Sequence, residues 1–292
     1  MTTDKSIIKA ALFEGDALWD DSWKESAGEA TLKARMVTKD PDVLLYSSWF
    51  CPFAQRAWIA AEETGANYQW IEINPYQVDT EAAGGYTKKA LPLQEKDRLH
   101  PGFVQASPRG LVPAVRSVAE DRVVWDSLPV VEYMDAVYGD GSLMPTDPHE
   151  RAMVQVWSVH CTERIQKAYY RALMEQDPVR EKQLLETFFH ECRELANAMS
   201  DDGPFFLGQR FGLVDVALAP FWQRMIWVGG HYMGLCFPDN DPAFERMQQW
   251  WEATVARPSV ANTLVCKDRL IASYTDYSKN DATSDFAKTL MK

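Results

Sequence analysis

One cysteine, Cys51, lies where a thiol is expected to be reactive. Residues 43–46 form a short apolar run typical of a buried strand, and Pro52 suits the first turn of a helix, where its missing N–H costs nothing. The thiol is therefore expected at a helix N-terminus, where unpaired amides and the helix dipole favour an anion. We expect the pKa of Cys51 to fall below the ~8.5 of a free cysteine, which makes the thiolate available as a nucleophile for thiol–disulfide exchange.

The neighbours of Cys51 limit the mechanism that it can support. Position 54 is alanine, so the cysteine has no partner at CxxC spacing and its second thiol has to come from solution. The competing interpretation is a buried structural cysteine. We favour that interpretation for the other four cysteines, which lie in or near predicted helices: Cys161, Cys192, Cys236 and Cys266.

Two later segments have features of a ligand site. Val112 precedes Pro113 at the start of an apolar strand; a cis peptide there would turn the Val112 backbone towards an extended peptide, and an ordinary edge-strand proline is the alternative. Asp126 and Ser127 begin a predicted helix that ends at Gly139. They serve either as a helix cap or, with the free N–H groups of that helix, as a site for a ligand that carries an ammonium and a carboxylate.

The order of predicted elements indicates how these residues are positioned. Predicted strands at residues 43–46, 68–73, 114–118 and 122–125 and helices after Cys51 and Asp126 follow the order of a thioredoxin-like domain. The segment 75–105 is predicted as a long irregular loop. Beyond His149 helical periodicity dominates, with helices predicted at 152–172, 181–199, 214–229 and 244–256.

We therefore predict an α/β thioredoxin-like domain at residues 42–145 and an all-helical bundle at 146–280. Residues 1–41 form an N-terminal extension, which Trp19 and Trp23 are expected to anchor, and residues 281–292 form a tail.

Composition restricts the partners. The 292 residues carry a net charge of −12, from 30 basic and 42 acidic side chains, which argues against nucleic acid as a partner. Apolar runs are shorter than the ~20 residues of a membrane span, and the N-terminus shows no secretory signal. Five widely spaced cysteines argue against a disulfide scaffold or a zinc site. We expect a cytoplasmic protein with no metal and no membrane contact.

Three segments together resemble the omega class of glutathione transferases. They are SWFCPFAQR at residues 48–56, PRGLVP at 108–113 and the pair Asp126-Ser127, and the similarity extends over residues 42–275. The resemblance implies glutathione as co-substrate, a mixed disulfide between Cys51 and glutathione, and a homodimer. The glutathione-binding residues that it implies are Phe53 near the thiol, Val112 and Pro113 at the cysteinyl moiety, and Asp126 and Ser127 at the γ-glutamyl end.

The chain departs from the family pattern at several positions. Asp126 stands where the family usually has Glu, Gly212 where a later helix usually has a Ser or Thr cap, and Arg269 where an aromatic acceptor residue is expected. The insertion 75–105 displaces the basic contact to the glycine end of glutathione. The candidates for that contact are Lys88, Lys89, Lys96, Arg98 and His100, of which Lys89 and Arg98 are our predicted binding residues.

The leading functional hypothesis is glutathione-dependent thiol transfer or dehydroascorbate reduction. The acceptor would bind between the domains, beside aromatic side chains that are otherwise core residues; the candidates are Trp157, Tyr169, Tyr170, Trp222 and Trp227. Glutathionyl-hydroquinone reductases and glutathione lyases also use a Cys-Pro-aromatic-Ala segment, typically with Trp where Phe53 stands. Conjugation of glutathione to electrophiles, which uses a hydroxyl, is less favoured. A non-catalytic alternative is a glutathione- or ligand-binding regulatory protein, like the translation-factor subunits, nitrogen regulators and chloride intracellular channel proteins of this fold.

Overall fold

The computed structural model describes residues 26–79 and 86–290. The predicted anchors Trp19 and Trp23 lie outside these residues, as do Gly84 and Gly85 of the insertion. Of the N-terminal extension, the described part contains helix α1 (Ala27–Met36). Gly28 of this helix contacts the backbone of Leu264, to which its N–H donates a hydrogen bond of 3.0 Å, so α1 is attached to the C-terminal half.

The N-terminal half is a four-stranded sheet with helices against it. Its elements are β1 (Val43–Ser47), α2 (Pro52–Thr64), β2 (Tyr68–Glu72), β5 (Ala114–Ser117), β6 (Val123–Trp125) and α5 (Ser127–Tyr138). The strand order is β2-β1-β5-β6, with β1 and β2 parallel and the other two pairs antiparallel. This is the predicted thioredoxin-like arrangement.

Local sequence explains why α2 begins and ends as it does. Pro52 occupies the first helical turn, and Gly65 ends the helix in the left-handed conformation at φ 66°, which glycine adopts without a steric penalty. The face towards the sheet buries Ala57 and Trp58, and the Trp58 ring meets Trp70 of β2 edge-on at 4.9 Å between centroids. Cys51 is therefore held at the N-terminus of a firmly packed helix.

The segment from residue 75 to 105 is more regular than the sequence predicted. It contains an antiparallel pair, β3 (Tyr76–Val78) and β4 (Tyr86–Ala90), and two short helices, α3 (Leu93–Leu99) and α4 (Phe103–Ala106). The prediction of an irregular loop was wrong because these elements are three to seven residues long, too short to show a clear periodicity.

The C-terminal half is helical, as predicted. Its longer helices are α6 (Pro148–His160), which continues through a π-helical turn (Cys161–Gln166) into α7 (Lys167–Met174), α8 (Pro178–Ala198), α9 (Leu213–Arg224), which continues into π-helical Met225–Gly229, and α11 (Pro242–Val255). The short ones are α10 (Gly230–Tyr232), α12 (Pro258–Ala261), α13 (Lys267–Ala272), α14 (Thr275–Ser278) and α15 (Asp285–Leu290). Among the described residues, no helix has the length and apolar character of a membrane span.

Two buried arginines connect the halves. Arg56 of α2 donates to the Ala217 carbonyl of α9 at 2.8 Å, to Thr162 at 2.8 Å and to Ser127 of α5 at 3.1 Å. Arg224 of α9 makes the second link, described with the site below. Because each guanidinium bonds to both halves, the two domains hold a fixed relative position around the cleft between them.

Candidate functional site

A cavity of about 370 Å³ opens between the two halves beside Cys51. Its N-terminal wall includes Cys51, Phe53, Val112, Pro113, Asp126 and Ser127. Its opposite wall includes Tyr170, Tyr274, Tyr277, Asp285, Phe286 and Thr289. The structure thus brings the predicted nucleophile and five of the predicted glutathione-binding residues to one cavity.

Cys51 is the N-cap residue of α2, and its half-buried side chain faces the cavity. Burial raises the pKa of the thiol above its ordinary value, against smaller opposite effects from the amides of Ala54 and Phe53 and from the cations Arg224 and Lys88. The predicted fall in the pKa of Cys51 is therefore wrong for this structure. Removing the thiolate from water destabilises it by more than the helix N-terminus and the two cations stabilise it.

Arg224 links the loop that carries Cys51 to the far wall of the cavity. Its guanidinium donates to the carbonyl of Phe50 at 3.0 Å, to Gln55 at 2.7 Å and to the hydroxyl of Tyr274 at 2.8 Å. The Tyr274 hydroxyl also shares a hydrogen bond of 2.8 Å with Tyr170. This buried network fixes two tyrosines relative to Cys51.

The segments predicted to hold a peptide ligand lie across the cavity from these tyrosines. The Val112–Pro113 peptide bond is cis. Asp126 has φ 77°, caps α5 by accepting from the Ser127 N–H at 2.6 Å, and is exposed, whereas Ser127 is buried and accepts from Arg56. The Asp126 carboxylate, the Ser127 hydroxyl and the α5 N-terminus together are able to bind a ligand group that carries one ammonium and one carboxylate.

The predicted basic contacts, Lys89 and Arg98, do not line the cavity. Lys89 is exposed on the outer side of β4, and Arg98 pairs with Glu95 at the surface. Lys88, the preceding residue, is buried in the cavity wall, because alternate residues of a strand face opposite sides. Arg109 also lines the cavity and lies over the ring of Trp125, 5.2 Å from its centroid.

Of the five acceptor candidates, Tyr170 alone lines the cavity, and Tyr169 is fully buried in the helical half. Partly buried Trp157 packs against Phe206 at the edge of the core of the helical half, and Trp222 stacks on Phe237 at 4.7 Å within that core. Trp227 is also buried, 3% exposed. These three tryptophans therefore pack in or against the core, which is the alternative interpretation of aromatic residues at helical spacing.

The C-terminal segment also contributes to the cavity, which was not predicted from the sequence. Phe286 of α15 contacts Phe53 at 5.5 Å and Tyr170 at 4.9 Å between ring centroids. The segment is attached to the N-terminal half, because Thr283 donates to the Lys88 carbonyl at 3.1 Å and Asp285 pairs with buried Lys96 at 3.3 Å. The aromatic residues at 274, 277 and 286 were the available signal. Arg269 lies outside the cavity, over the Trp49 ring.

Both halves of the chain that enclose this cavity match sequences of known proteins. Residues 50–137 match the sequence model of the glutathione S-transferase N-terminal domain, and residues 167–253 match that of the C-terminal domain. The chain is 31% identical to glutathione S-transferase L1 of Arabidopsis thaliana over 195 residues, which cover 64% of this chain and 70% of the relative. It is 23% identical to a probable glutathione S-transferase of Nicotiana tabacum, covering 80% of this chain and 92% of the relative.

Solved structures agree. Glutathione transferase Omega 3C from Trametes versicolor superposes with a TM-score of 0.65 at 29% identity, over 82% of this chain and 96% of that one. A Tau-class enzyme from Mangifera indica superposes with a TM-score of 0.62 at 22% identity, over 85% of this chain and 98% of that one, a likeness of fold. With both domains matched and the cavity between them lined as described, the chain belongs to the glutathione S-transferase family.

Proposed function

We propose that this chain catalyses omega-like thiol transfer in which Cys51 forms a mixed disulfide with glutathione. The substrates are glutathionylated thiols or small oxidised acceptors such as dehydroascorbate, and a second glutathione releases the first. The observation that carries the proposal is the shared cavity: a half-buried cysteine at a helix N-terminus opens into the same space as Val112, Asp126 and Ser127. A sulfur in that position meets the cysteinyl thiol of a tripeptide whose γ-glutamyl end lies at α5.

The charges of the cavity fit the rest of the tripeptide. Asp126 binds the ammonium of the γ-glutamyl group, and Ser127 with the α5 N–H groups binds its carboxylate. Arg109, at the cavity edge, supplies a cation for the other carboxylate in place of the predicted Lys89 and Arg98. Phe53 and Phe286 close the apolar side of the site around the sulfur.

Replacement of Cys51 tests the proposal. We expect Cys51→Ala to lower glutathione-dependent reduction of a mixed disulfide by at least ~100-fold, since the covalent intermediate cannot form. Oxidised wild-type protein should carry one glutathione adduct, located on Cys51 by peptide mass spectrometry. The matched control is Cys236→Ser, because Cys236 is also partly accessible but lies outside the cavity. Turnover of Cys51→Ala at the wild-type rate would disprove the mechanism.

A second candidate is removal of glutathione from aromatic conjugates such as glutathionyl-hydroquinones. The tyrosine side chains at 170, 274 and 277 favour it, because their rings and hydroxyls suit a phenolic acceptor. Phe53, where such reductases typically carry Trp, argues against it. Comparing kcat/KM for a glutathionyl-hydroquinone with that for dehydroascorbate separates the two.

Homodimer formation and a cytoplasmic location accompany this proposal. The former is supported by an exposed apolar strip on α6, discussed below. The latter remains an expectation from the reduced state that Cys51 requires.

A further inference from the structure

Lys88 is a lysine buried in the wall of the Cys51 cavity. It is 3% exposed, and its terminal nitrogen, Nζ, lies over three aromatic rings. The distances from Nζ to the ring centroids are 3.9 Å for Phe50, 4.9 Å for Tyr76 and 5.6 Å for Tyr274. Phe50 immediately precedes Cys51, and Lys88 and Cys51 both line the cavity and interact electrostatically with each other.

Burial acts in opposite directions on the two groups. It lowers the pKa of Lys88 to about 7, and Cys51 opposes that fall while Arg224 adds to it. It raises the pKa of the Cys51 thiol, which Arg224 and Lys88 oppose. The order of the two pKa values is thereby reversed from that of the isolated groups, so above about pH 7 the proton lies on the thiol and Lys88 is an unprotonated amine, which is the protonation state that a general base needs. The other charged or titratable groups that line this cavity or interact electrostatically with the pair are Arg56, Tyr76, Arg109, Asp126, Tyr170, Arg224, Tyr274, Asp276, Tyr277 and Asp285.

We infer that Lys88 is the proton acceptor and donor for Cys51 during thiol transfer. This inference rests on the proposed function, because it concerns the same sulfur. A neutral Cys51–Lys88 pair avoids two separate charges in a partly dehydrated cavity. The ion pair forms when substrate enters and the thiol has to become a nucleophile.

Each half-reaction then balances in protons and electrons. The neutral amine of Lys88 takes the thiol proton, and the Cys51 sulfur attacks the glutathionyl sulfur of a mixed disulfide. The Cys51–glutathione bond forms as the old S–S bond breaks, and the departing thiolate receives the proton from Lys88. In the second half, Lys88 takes the proton of incoming glutathione, glutathione disulfide leaves, and the proton returns to Cys51.

Two substitutions separate proton transfer from charge alone. Lys88→Met keeps a long unbranched side chain and removes the amine. Its apolar end can pack against the same three aromatic rings, so the variant should still fold. Lys88→Arg keeps a cation that does not release its proton near neutral pH. Lys182→Met, on the exposed side of α8, controls for loss of a lysine elsewhere. The readouts are the pH dependence of Cys51 alkylation by iodoacetamide, followed by peptide mass spectrometry, and the pH profile of kcat.

We expect Lys88→Met to move the alkylation midpoint upward by one pH unit or more and to lower kcat at pH 7 by at least ~100-fold. Lys88→Arg should retain fast alkylation but lose at least ~10-fold in kcat. An alkylation midpoint of Lys88→Met at the wild-type pH, or a kcat of Lys88→Arg equal to that of the wild type, would overturn the inference. The alkylation assay needs no glutathione, so it tests the Cys51–Lys88 coupling separately from turnover. If Lys88→Met shifts the alkylation midpoint but Cys51→Ala turns over at the wild-type rate, the proposed function is refuted and the coupling between the two residues is retained.

Discussion

At the scale of single residues, the pKa of Cys51 is subject to two opposing effects, the helix N-terminus that lowers it and the burial that raises it. A helix N-terminus contributes up to ~2 kcal/mol to an adjacent anion, whereas full burial moves a pKa by up to ~3–5 units, each worth ~1.4 kcal/mol. Burial is therefore the larger effect, and it raises the pKa of this thiol. Nearby cations and a proton acceptor are therefore more important than the helix dipole for forming the Cys51 thiolate.

Arg56 gives a second prediction at this scale. Its buried guanidinium satisfies Ser127, Thr162 and the Ala217 carbonyl, and burial lowers its pKa to about 10. Arg56→Met would leave these acceptors without a partner, so we expect the free energy of unfolding to fall by about 3 kcal/mol in urea denaturation. Glutathione binding should weaken as well, because Ser127 loses its anchor.

The matched control for that prediction is Arg180→Met, which removes an exposed arginine from the start of α8. This variant should stay within about 0.5 kcal/mol of wild type. A loss below 1 kcal/mol for Arg56→Met would mean that water or rearranged side chains satisfy the interdomain acceptors.

At the scale of elements, helix starts show how the chain fixes its architecture. Asp147, Asp177 and Asp241 each cap a helix whose next residue is proline. The α9 start differs: Gly212 has no side chain to cap with, and the buried Asp215 accepts from the Gly212 N–H at 2.8 Å. Asp215 also accepts from Phe206 at 3.0 Å and from the Trp250 indole at 2.8 Å.

This carboxylate should make stability depend on pH. Burial raises the pKa of Asp215 to about 6, above the ~3.9 of an unfolded chain. The folded state therefore binds more protons between about pH 4 and pH 6, and its stability relative to Asp215→Asn should fall as the pH rises through that window. Urea denaturation of both proteins at pH 4 and pH 7 measures the difference, in which other titrating groups cancel. An unchanged difference would contradict the raised pKa.

At the scale of the whole molecule, α6 presents an apolar strip to solvent. Met153, Val156 and Val159 recur at helical spacing and are 38%, 55% and 51% exposed. Val137, at the end of α5, is 52% exposed. An apolar surface on both domains of one chain suits a second copy of that chain, in agreement with the homodimer that the resemblance implies.

We expect wild-type protein to run as a dimer in size-exclusion chromatography with light scattering, and Val156→Asp with Val159→Asp to run as a monomer. Two buried carboxylates at the centre of an interface are unfavourable without partners. Val179→Asp, at a 68% exposed site on α8, should leave the dimer intact. A dimer that survives the double substitution would place the interface elsewhere.

The features predictable from sequence were those with strong local signals. The four sheet strands and α5 match within two residues, because apolar runs and turn residues bound them. Helix starts were three or four residues too late at α6 and α8, since apolar periodicity begins after the Asp-Pro cap. The choice of Lys89 over Lys88 required knowing which side of β4 faces inward. The tail contact of Phe286 depends on a docking that no local pattern encodes.

That docking has an evolutionary consequence. Residues 283–290 form one side of the cavity, and they follow the buried arginines Arg56 and Arg224 that link the two domains. Substitutions at the cavity-lining positions Phe286 and Thr289 can alter which molecules fit while these arginine links stay in place. Paralogues of this chain are therefore expected to diversify their chemistry first at the carboxyl end, while the cysteine and its helix stay the same.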